Sequence, residues 1–535
     1  MDGVAIRRRY DELYSLRQTL DNTLQLIEKY VVPYRGDFFK PEQSEYEVEW
    51  RRRGIFDSTA PIAADLLASS IHSNLTSPMI PWFQLRFRND VLNDIQQAKE
   101  WLELVQDQIW QTLKESDFNM EIAETYLDLV SFGTAIMFQE ELSDDDWEGM
   151  TFTSIPIRRC YFENGADEKV IRIFRLIQYT TLQLKDKFPD YDFSNFTDDA
   201  DTKHDVVFAI YRRDEVTEEK KKMAPKARPW AYKYVLHKNS EVLDEGGYYQ
   251  MPAHVVRWKK VSGTRWGHSP AFVALSDIMQ LNTVVEMSSE ARAKEIDPPM
   301  KTTERGIIGD YDTAAGGLTT VTDMDEMDRL LPPHNWMIAD AEIDRLQESI
   351  RSTFYVDKLE LKESPAMTAT EVLARLDKQQ RQFAPTLGRL EYDLLDPLIE
   401  WTYDALMRNG ILPPPPEEIA RADLDIEYTG PIPRSMKNEE AQGTSLWIGE
   451  LAGLAQVIPE LLDIVNTDAL ARGLGFARGV PATYMNDAAE VAALRQQRAE
   501  QQAQAEQMAQ LEQAGKAMKD IGQGASAMDE SETVQ

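Results

Sequence analysis

TATEVLARLDKQQRQFAPTLGRLEYDLLDPLIEWTYDALMRNG, Thr368 to Gly410, is the stretch around which the chain is organised. The spacing predicts one very long helix. Thr368 and Glu371 form a capping box, a hydroxyl at the N-cap and a carboxylate three residues on, which satisfies two otherwise orphaned backbone N–H groups. Val372, Leu373, Leu376, Phe383, Leu387, Leu390, Leu394, Leu398 and Leu406 recur mostly at three- and four-residue steps, the apolar stripe of an amphipathic helix. Gly410 suits the left-handed position that ends a helix, and Pro413 to Pro416 forbid continuation. Pro385 and Pro397 lie inside the pattern. Each removes a backbone hydrogen bond and is expected to kink the helix rather than stop it, because the stripe resumes beyond. About 40 residues at 1.5 Å each would span roughly 60 Å. A spar of that length suits an extended assembly better than a compact enzyme.

The chain of 535 residues has room for two to four domains. Its 42% hydrophobic and 28% charged content is that of a soluble globular protein. The charge balance is less ordinary, since 91 acids against 58 bases leave −33. Such a surface does not bind DNA non-specifically as a whole, because phosphate binding needs clustered Lys and Arg. A single cysteine, Cys160, excludes an internal disulfide framework and fits a reducing compartment. The first residues, MDGVAIRRRYDELYSL, have no apolar core of a signal peptide, and no run approaches the apolar length of a spanning helix.

In chain order, residues 8 to 31 read as a helix with Leu13, Leu16, Leu20, Leu24 and Ile27 on one face. DSTAPIAADLLASSIHSNLTSPMIPWFQLRF follows: caps at Asp57 to Thr59, Pro61 in the first turn, a helix to Leu75, then a proline-bracketed turn into a strand. Gln97 to Lys114 and Asn119 to Phe138 read as two further helices, with Gly133 allowing close packing. From Met150 the period shortens. Runs around Phe152, Tyr161, Val170–Leu176, Val206–Tyr211, Trp230–Val235 and His254–Lys259 predict antiparallel strands, with a short helix at Leu182–Phe188. Residues 213–228 read as a charged hairpin tip. Ser269 and Pro270 open a helix as N-cap and first residue, which runs to Pro298. A small strand-containing module and a second helix from Ile338 to Val356 follow. Beyond the tetraproline come a strand at Leu424–Tyr428, several short helices, and an Ala/Gln-rich helix over 487–520 before a polar tail. The fold class is α+β, mainly α-helical.

The search for chemistry is negative. There is no phosphate-binding glycine loop, no dinucleotide fingerprint, no HExxH and no CxxC. Cys160 has no partner histidine and reads as a buried strand thiol. The six histidines have no zinc-ligand spacing. The acidic runs Asp144–Asp146 and DMDEMD at 323–328 lack the glycine and closing glutamate of a calcium loop and read as solvated charge. No catalytic residue, metal ligand or cofactor is expected.

The order of these parts resembles the portal, or head-to-tail connector, proteins of short-tailed podovirus-type phages. The residues that carry it are DSTAPIAADLLASSIHSNLTSPMIPWFQL; RWGHSPAFVALSDIMQLN, similar to the family's Trp/Gly turn into the first stem helix; and MTATEVLARLDKQQRQFAPTLGRLEYDLLDPLI with its proline-rich turn. The resemblance implies a portal fold of wing, stem, clip and crown. Residues 1–267 and 368–434 would build the wing, 268–296 and 337–356 the stem helices, 297–336 the clip, 357–367 a tunnel loop, 435–486 the crown and 487–535 a C-terminal extension. It implies a homo-oligomeric ring, usually of twelve subunits, at one capsid vertex, through which double-stranded DNA is packaged and ejected. The implied partners are the terminase large subunit, tail adaptor and nozzle proteins, and the major capsid, scaffolding and internal core proteins; assembly would occur in the host cytoplasm, without a membrane. Lys358, Glu360, Lys362 and Glu363 of the tunnel loop would face the DNA, and acids lining the bore would repel it so that the duplex slides. Two alternatives stand beside this reading: another virion structural protein, such as an adaptor or scaffold, or a metal-dependent hydrolase using Asp323, Asp325 and Asp328.

Overall fold

The structure, a computed structural model, describes residues 1–35, 54–143, 147–166, 168–196, 199–213, 223–261, 263–296, 336–356, 386–416 and 424–428, with shorter pieces at 300–301, 320, 328–329, 419, 443–451, 453, 464–477, 484, 486, 490–505 and 508. The chain divides into two units. The first comprises residues 1–85, 104–414 and 426–435, and the second 86–103, 415–425 and 436–535.

The first unit begins with helix α1 (Gly3–Val31), which starts five residues earlier than its leucine pattern indicated. Asp2 accepts a hydrogen bond from the Ala5 N–H at 2.8 Å and so caps the first turn. Ile6, Tyr10 and Leu13 extend the stripe at helical spacing through the arginine run, and all three are buried. They pack on Tyr161, Phe174, Val207, Ala209 and Val235 of a sheet. Each large aliphatic so buried contributes about 1.5–3 kcal/mol. Helix α2 (Thr59–Leu75), strand β1 (Phe83–Phe87), helix α3 (Gln96–Glu115), whose residues up to Glu103 belong to the second unit, and helix α4 (Phe118–Phe132) follow. Here the expected helix over Asn119–Phe138 is corrected. It ends at Gly133, whose φ of 74° is the left-handed C-cap, and Thr134–Glu141 is strand β2. The β-branched and aromatic run TAIMF prefers the sheet once glycine has broken the helix.

Strand β2 is the middle of a three-stranded antiparallel sheet, between β3 (Met150–Ser154) and β9 (Ala253–Arg257). A five-stranded antiparallel sheet runs in chain order through β4 (Cys160–Asn164), β5 (Val170–Thr180), β6 (Lys203–Arg212), β7 (Trp230–Leu236) and β8 (Val242–Tyr248), with the short helix α5 (Thr181–Lys187) after β5. Between the two sheets Ile136, Phe138 and Val255 meet Phe162, Ile173, Phe208 and Ile210. Strand β8 was not foreseen, because its sequence VLDEGGY carries two glycines, which weaken a strand. They are required by packing: a Cβ on Gly246 would lie 2.5 Å from the Tyr232 ring.

A chain of buried hydrogen bonds ties the small sheet to the helix of the opening stretch. That helix covers residues 386–408, ending in α8 (Asp396–Arg408). Gln139 on β2 donates to the Thr402 hydroxyl at 2.8 Å, and its carbonyl accepts from Nε2 of His254 on β9 at 2.9 Å. The imidazole therefore carries its proton on Nε2. Burial lowers the His254 pKa to about 4. A depressed histidine pKa gives stability that is complete above the unfolded value near 6.5 and is lost as pH falls towards 4. His254→Asn should therefore lose about 3 kcal/mol less than the wild type when urea midpoints are compared at pH 7.5 and at pH 4. Equal acid losses in the two proteins would refute a neutral, buried His254.

In the second unit the Phe87 and Trp101 rings stack with centroids 6.4 Å apart. Residues 443–451 and 490–505 are helical, as is α9 (Thr467–Ala477). Arg495 makes a two-pronged pair with Asp468, at 2.6 and 2.5 Å. Among the described residues no helix is long and apolar enough to cross a membrane.

Candidate functional site: the root of a helical hairpin

Helix α6 (Pro270–Ile296) and helix α7 (Trp336–Thr353) pack together as an antiparallel hairpin. The longer arm measures about 40 Å at 1.5 Å per residue. Cross-helix contacts set its register: the Ser349 hydroxyl donates to Asp277 at 2.7 Å, Gln280 to Glu342 at 3.2 Å, and Arg292 pairs with Asp340 at 2.7 Å. Past α6, strand β10 (Met300–Lys301) pairs antiparallel with β11 (Asp328–Arg329), so the chain between the arms leaves and returns side by side. The expected strand-containing module at 297–336 otherwise lies outside the described residues.

The root of the hairpin is built by glycines. Trp266-Gly267-His268-Ser269 turns into α6 directly against the end of α4. A Cβ on Gly267 would sit 1.9 Å from the Gly133 carbonyl oxygen, and one on Gly133 would sit 2.6 Å from that of Gly267. Only two glycines let these backbones touch. Hydrogen bonds then fix the contact. The Gly267 N–H donates to the Thr134 hydroxyl at 2.8 Å, the Ser269 hydroxyl to the Ser131 carbonyl at 2.7 Å, and the Trp258 N–H to the Gly133 carbonyl at 2.9 Å. Ser269 also accepts from the Phe272 N–H at 3.4 Å, with Pro270 as first helical residue, which is the cap that the sequence indicated. Higher up, Asn282 of α6 holds the loop before α2. It accepts from the Phe56 N–H at 2.8 Å and donates to the Gly54 carbonyl at 3.3 Å. Gln347 of α7 donates to Asp57 at 2.8 Å. Both arms are thus bolted to the helical layer at their bases.

Charge on the arms is strongly one-sided. The two helices carry eight carboxylates against four cationic side chains. Outward-facing positions on α6 include Val273, Met287 and Ser289. Val273 is 66% and Met287 64% exposed, and Met279 and Ile296 of the same helix are exposed as well, so this arm presents several apolar side chains to solvent in the single chain.

Of the residues singled out from sequence, Lys358, Glu360, Lys362, Glu363, Thr368, Glu371 and Pro385 lie outside the described residues. Pro397 is the second residue of α8, just after a five-residue π-helical turn, Glu391–Leu395. Cys160 is fully buried, and burial pushes its thiol up to about 12, far from any nucleophilic form. Among the described residues no three His, Cys, Asp or Glu side chains converge as a metal site. Asp144–Asp146 and 323–327 lie outside them, and Asp328 belongs to β11. Sequence reading missed the Gly133–Gly267 contact and the Asn282 and Gln347 clamps. Gly133 was visible as a close-packing position, but its partner 134 residues away was not.

The sequence is similar to that of known proteins along most of its length. The pattern of the family described as bacteriophage head to tail connecting protein matches residues 4–485. A protein called probable portal protein, from Bordetella phage BPP-1, is 27% identical over 520 residues, covering 92% of this chain and 90% of its own. The portal protein of Salmonella phage epsilon15 is 25% identical over 520 residues, covering 93% of this chain and 91% of its own.

Proposed function

The chain belongs to the family of bacteriophage head to tail connecting proteins, and we propose that twelve copies form a ring whose stem is the α6–α7 hairpin. As a portal protein it is a structural component of the virion at the capsid vertex, not an enzyme, and it joins head to tail. The observation that carries the ring reading is the hairpin itself. It is a long, rigidly rooted pair of helices with exposed Val273 and Met287, a face that a neighbouring copy would cover in a closed ring.

In this reading residues 1–267 and 368–434 form the wing, 268–296 and 337–356 the stem, 297–336 the clip, 435–486 the crown and 487–535 its extension. The clip meets the terminase large subunit during packaging and tail adaptor and nozzle proteins afterwards. Capsid, scaffolding and internal core proteins contact the rest, and assembly takes place in the host cytoplasm. Residues 357–367 face the duplex, with Lys358 and Lys362 touching phosphates transiently among Glu360 and Glu363. Eight acids against four cations leave each hairpin a net four negative charges, which, repeated around a ring, repel the phosphates so that DNA slides without binding.

Negative-stain electron microscopy with solution mass on one sample tests this. Uniform rings with a central hole and a mass near twelve times 61.3 kDa are expected. A homogeneous monomer or dimer, unchanged by concentration and salt, would refute it.

A further inference from the structure

The long helix that ends in α8 is not α-helical throughout. Over Glu391–Leu395 it widens to a π turn, in which the Asp396 N–H donates to the Glu391 carbonyl five residues back. Pro397 lies immediately beyond. It has no N–H to give, and in an unbroken α-helix its ring would meet the Asp393 carbonyl; one extra residue in the preceding turn relieves that misfit. Single π turns inside α-helices are rare, kink the helix and are found frequently at functional sites. Removing the extra residue would rotate the segment before it by roughly 100°.

The two ends of this turn are carboxylates. Asp396 accepts a hydrogen bond from the Tyr428 hydroxyl on strand β12 (Leu424–Tyr428), so its position is set by another element. Glu391 is half-buried, and desolvation first, then the nearby Asp396 charge, raise its pKa to about 7. Asp393 also titrates high because of burial, but Arg257 of β9, Arg389 of the helix and Lys260 act on it favourably. Lys169 lies 5.9 Å from the centroid of the outward Tyr392 ring. Tyr428, raised mainly by burial, stays protonated. Glu391 is therefore the group of this cluster whose charge changes near neutral pH.

Below the turn the helix is fixed. Thr402 is held by Gln139, Arg408 pairs with Glu141 at 2.7 Å, and Asn409 donates to Glu141 at 2.9 Å. Above it the chain leads towards residues 357–385. We propose that the π turn Glu391–Leu395 is a proton-operated hinge in the long helix: a proton on the Glu391 carboxyl holds the turn closed against the Asp396 charge at its other end, and losing that proton opens it. Two like charges at the ends of one half-buried turn repel, and opening lets water reach both.

The sign follows from linkage. A carboxyl raised in the closed state stabilises closure fully at low pH. That stability falls as pH rises from the ordinary glutamate range, about 4.3, to about 7, and is then constant. The test is hydrogen–deuterium exchange by mass spectrometry on the full, assembled chain, with rates corrected for intrinsic exchange. Peptides covering 386–408 are read against the core strand β6. Between pH 5 and pH 7 the protection of the turn should fall by up to about tenfold per pH unit and then level off, while β6 stays flat. Glu391→Gln should keep the turn protected at every pH, and Asp396→Asn should shift the fall to lower pH. A flat wild-type profile, or the same fall in Glu391→Gln with its melting temperature unchanged, overturns the proposal.

Discussion

Gly267→Ala should abolish assembly and leave little folded protein. The added Cβ would stand 1.9 Å from the Gly133 oxygen and 2.9 Å from its carbonyl carbon. Both obstacles are backbone, and the Gly133 carbonyl is itself held by the Trp258 N–H. Neither can rotate aside. The turn must therefore back away from α4, at the cost of the Gly267–Thr134 and Ser269–Ser131 hydrogen bonds. Overpacking costs about 1–3 kcal/mol, and each buried polar group left unpaired adds about 1–3 more. Gly263→Ala is the control. Its φ of 85° also disfavours a side chain, yet a Cβ there meets nothing within 4 Å. It should cost only the local strain, about 1–2 kcal/mol, and leave rings intact. Soluble yield, melting temperature and ring mass report the difference. A Gly267→Ala protein that melts and assembles like the wild type would mean that the hairpin root is not a tight contact.

The second large effect is expected at Arg17. It is a buried arginine beneath α1, and its guanidinium donates to the carbonyls of Ile157 at 2.6 Å, Cys160 at 2.8 Å and Arg158, and to the Tyr161 hydroxyl at 2.9 Å. Its Nε lies 2.8 Å from Asp21, near enough to pair electrostatically though not aligned as a hydrogen bond. Burial, opposed by Arg17, raises the Asp21 carboxyl. One side chain thus satisfies the turn that carries α1 onto β4. Arg17→Met keeps the apolar stem but strands three carbonyls and a carboxylate. Removing one partner of a buried charge network costs about 3–5 kcal/mol. Arg17→Met with Asp21→Asn should recover part of that loss, because the stranded charge is gone. Cys160 supplies an independent readout, since its sealed thiol should react with a maleimide much faster in Arg17→Met. A cost below about 1 kcal/mol with unchanged thiol reactivity would show the network to be dispensable.

Helix and strand are legible in the residues wherever one periodicity runs uninterrupted. The helix of α1, the capped start of α2, the aromatic and β-branched runs of β6 and β7, and the Ser269-Pro270 start of α6 each depend on neighbours within a turn or two, whereas Leu16, expected on the inward face of α1, is 73% exposed beside the buried Arg17. The order of those segments was also enough to suggest a family, to which the residue 4–485 match then assigned the chain. Tertiary structure alone decided what depends on distant partners. Gly133 reads equally as a helix-packing glycine or a helix end until Gly267 is brought against it. Strand β8 contradicts its own propensity until the Tyr232 ring needs the space at Gly246. Arg17 reads as one surface cation on a charged helix, and the fold buries it under three carbonyls. Pro397 announced a disturbance in the long helix, but the π turn that accommodates it could not be read from spacing. Periodicity is a local property; close backbone contact, burial of charge and the choice of helical register are set by residues far away in the chain.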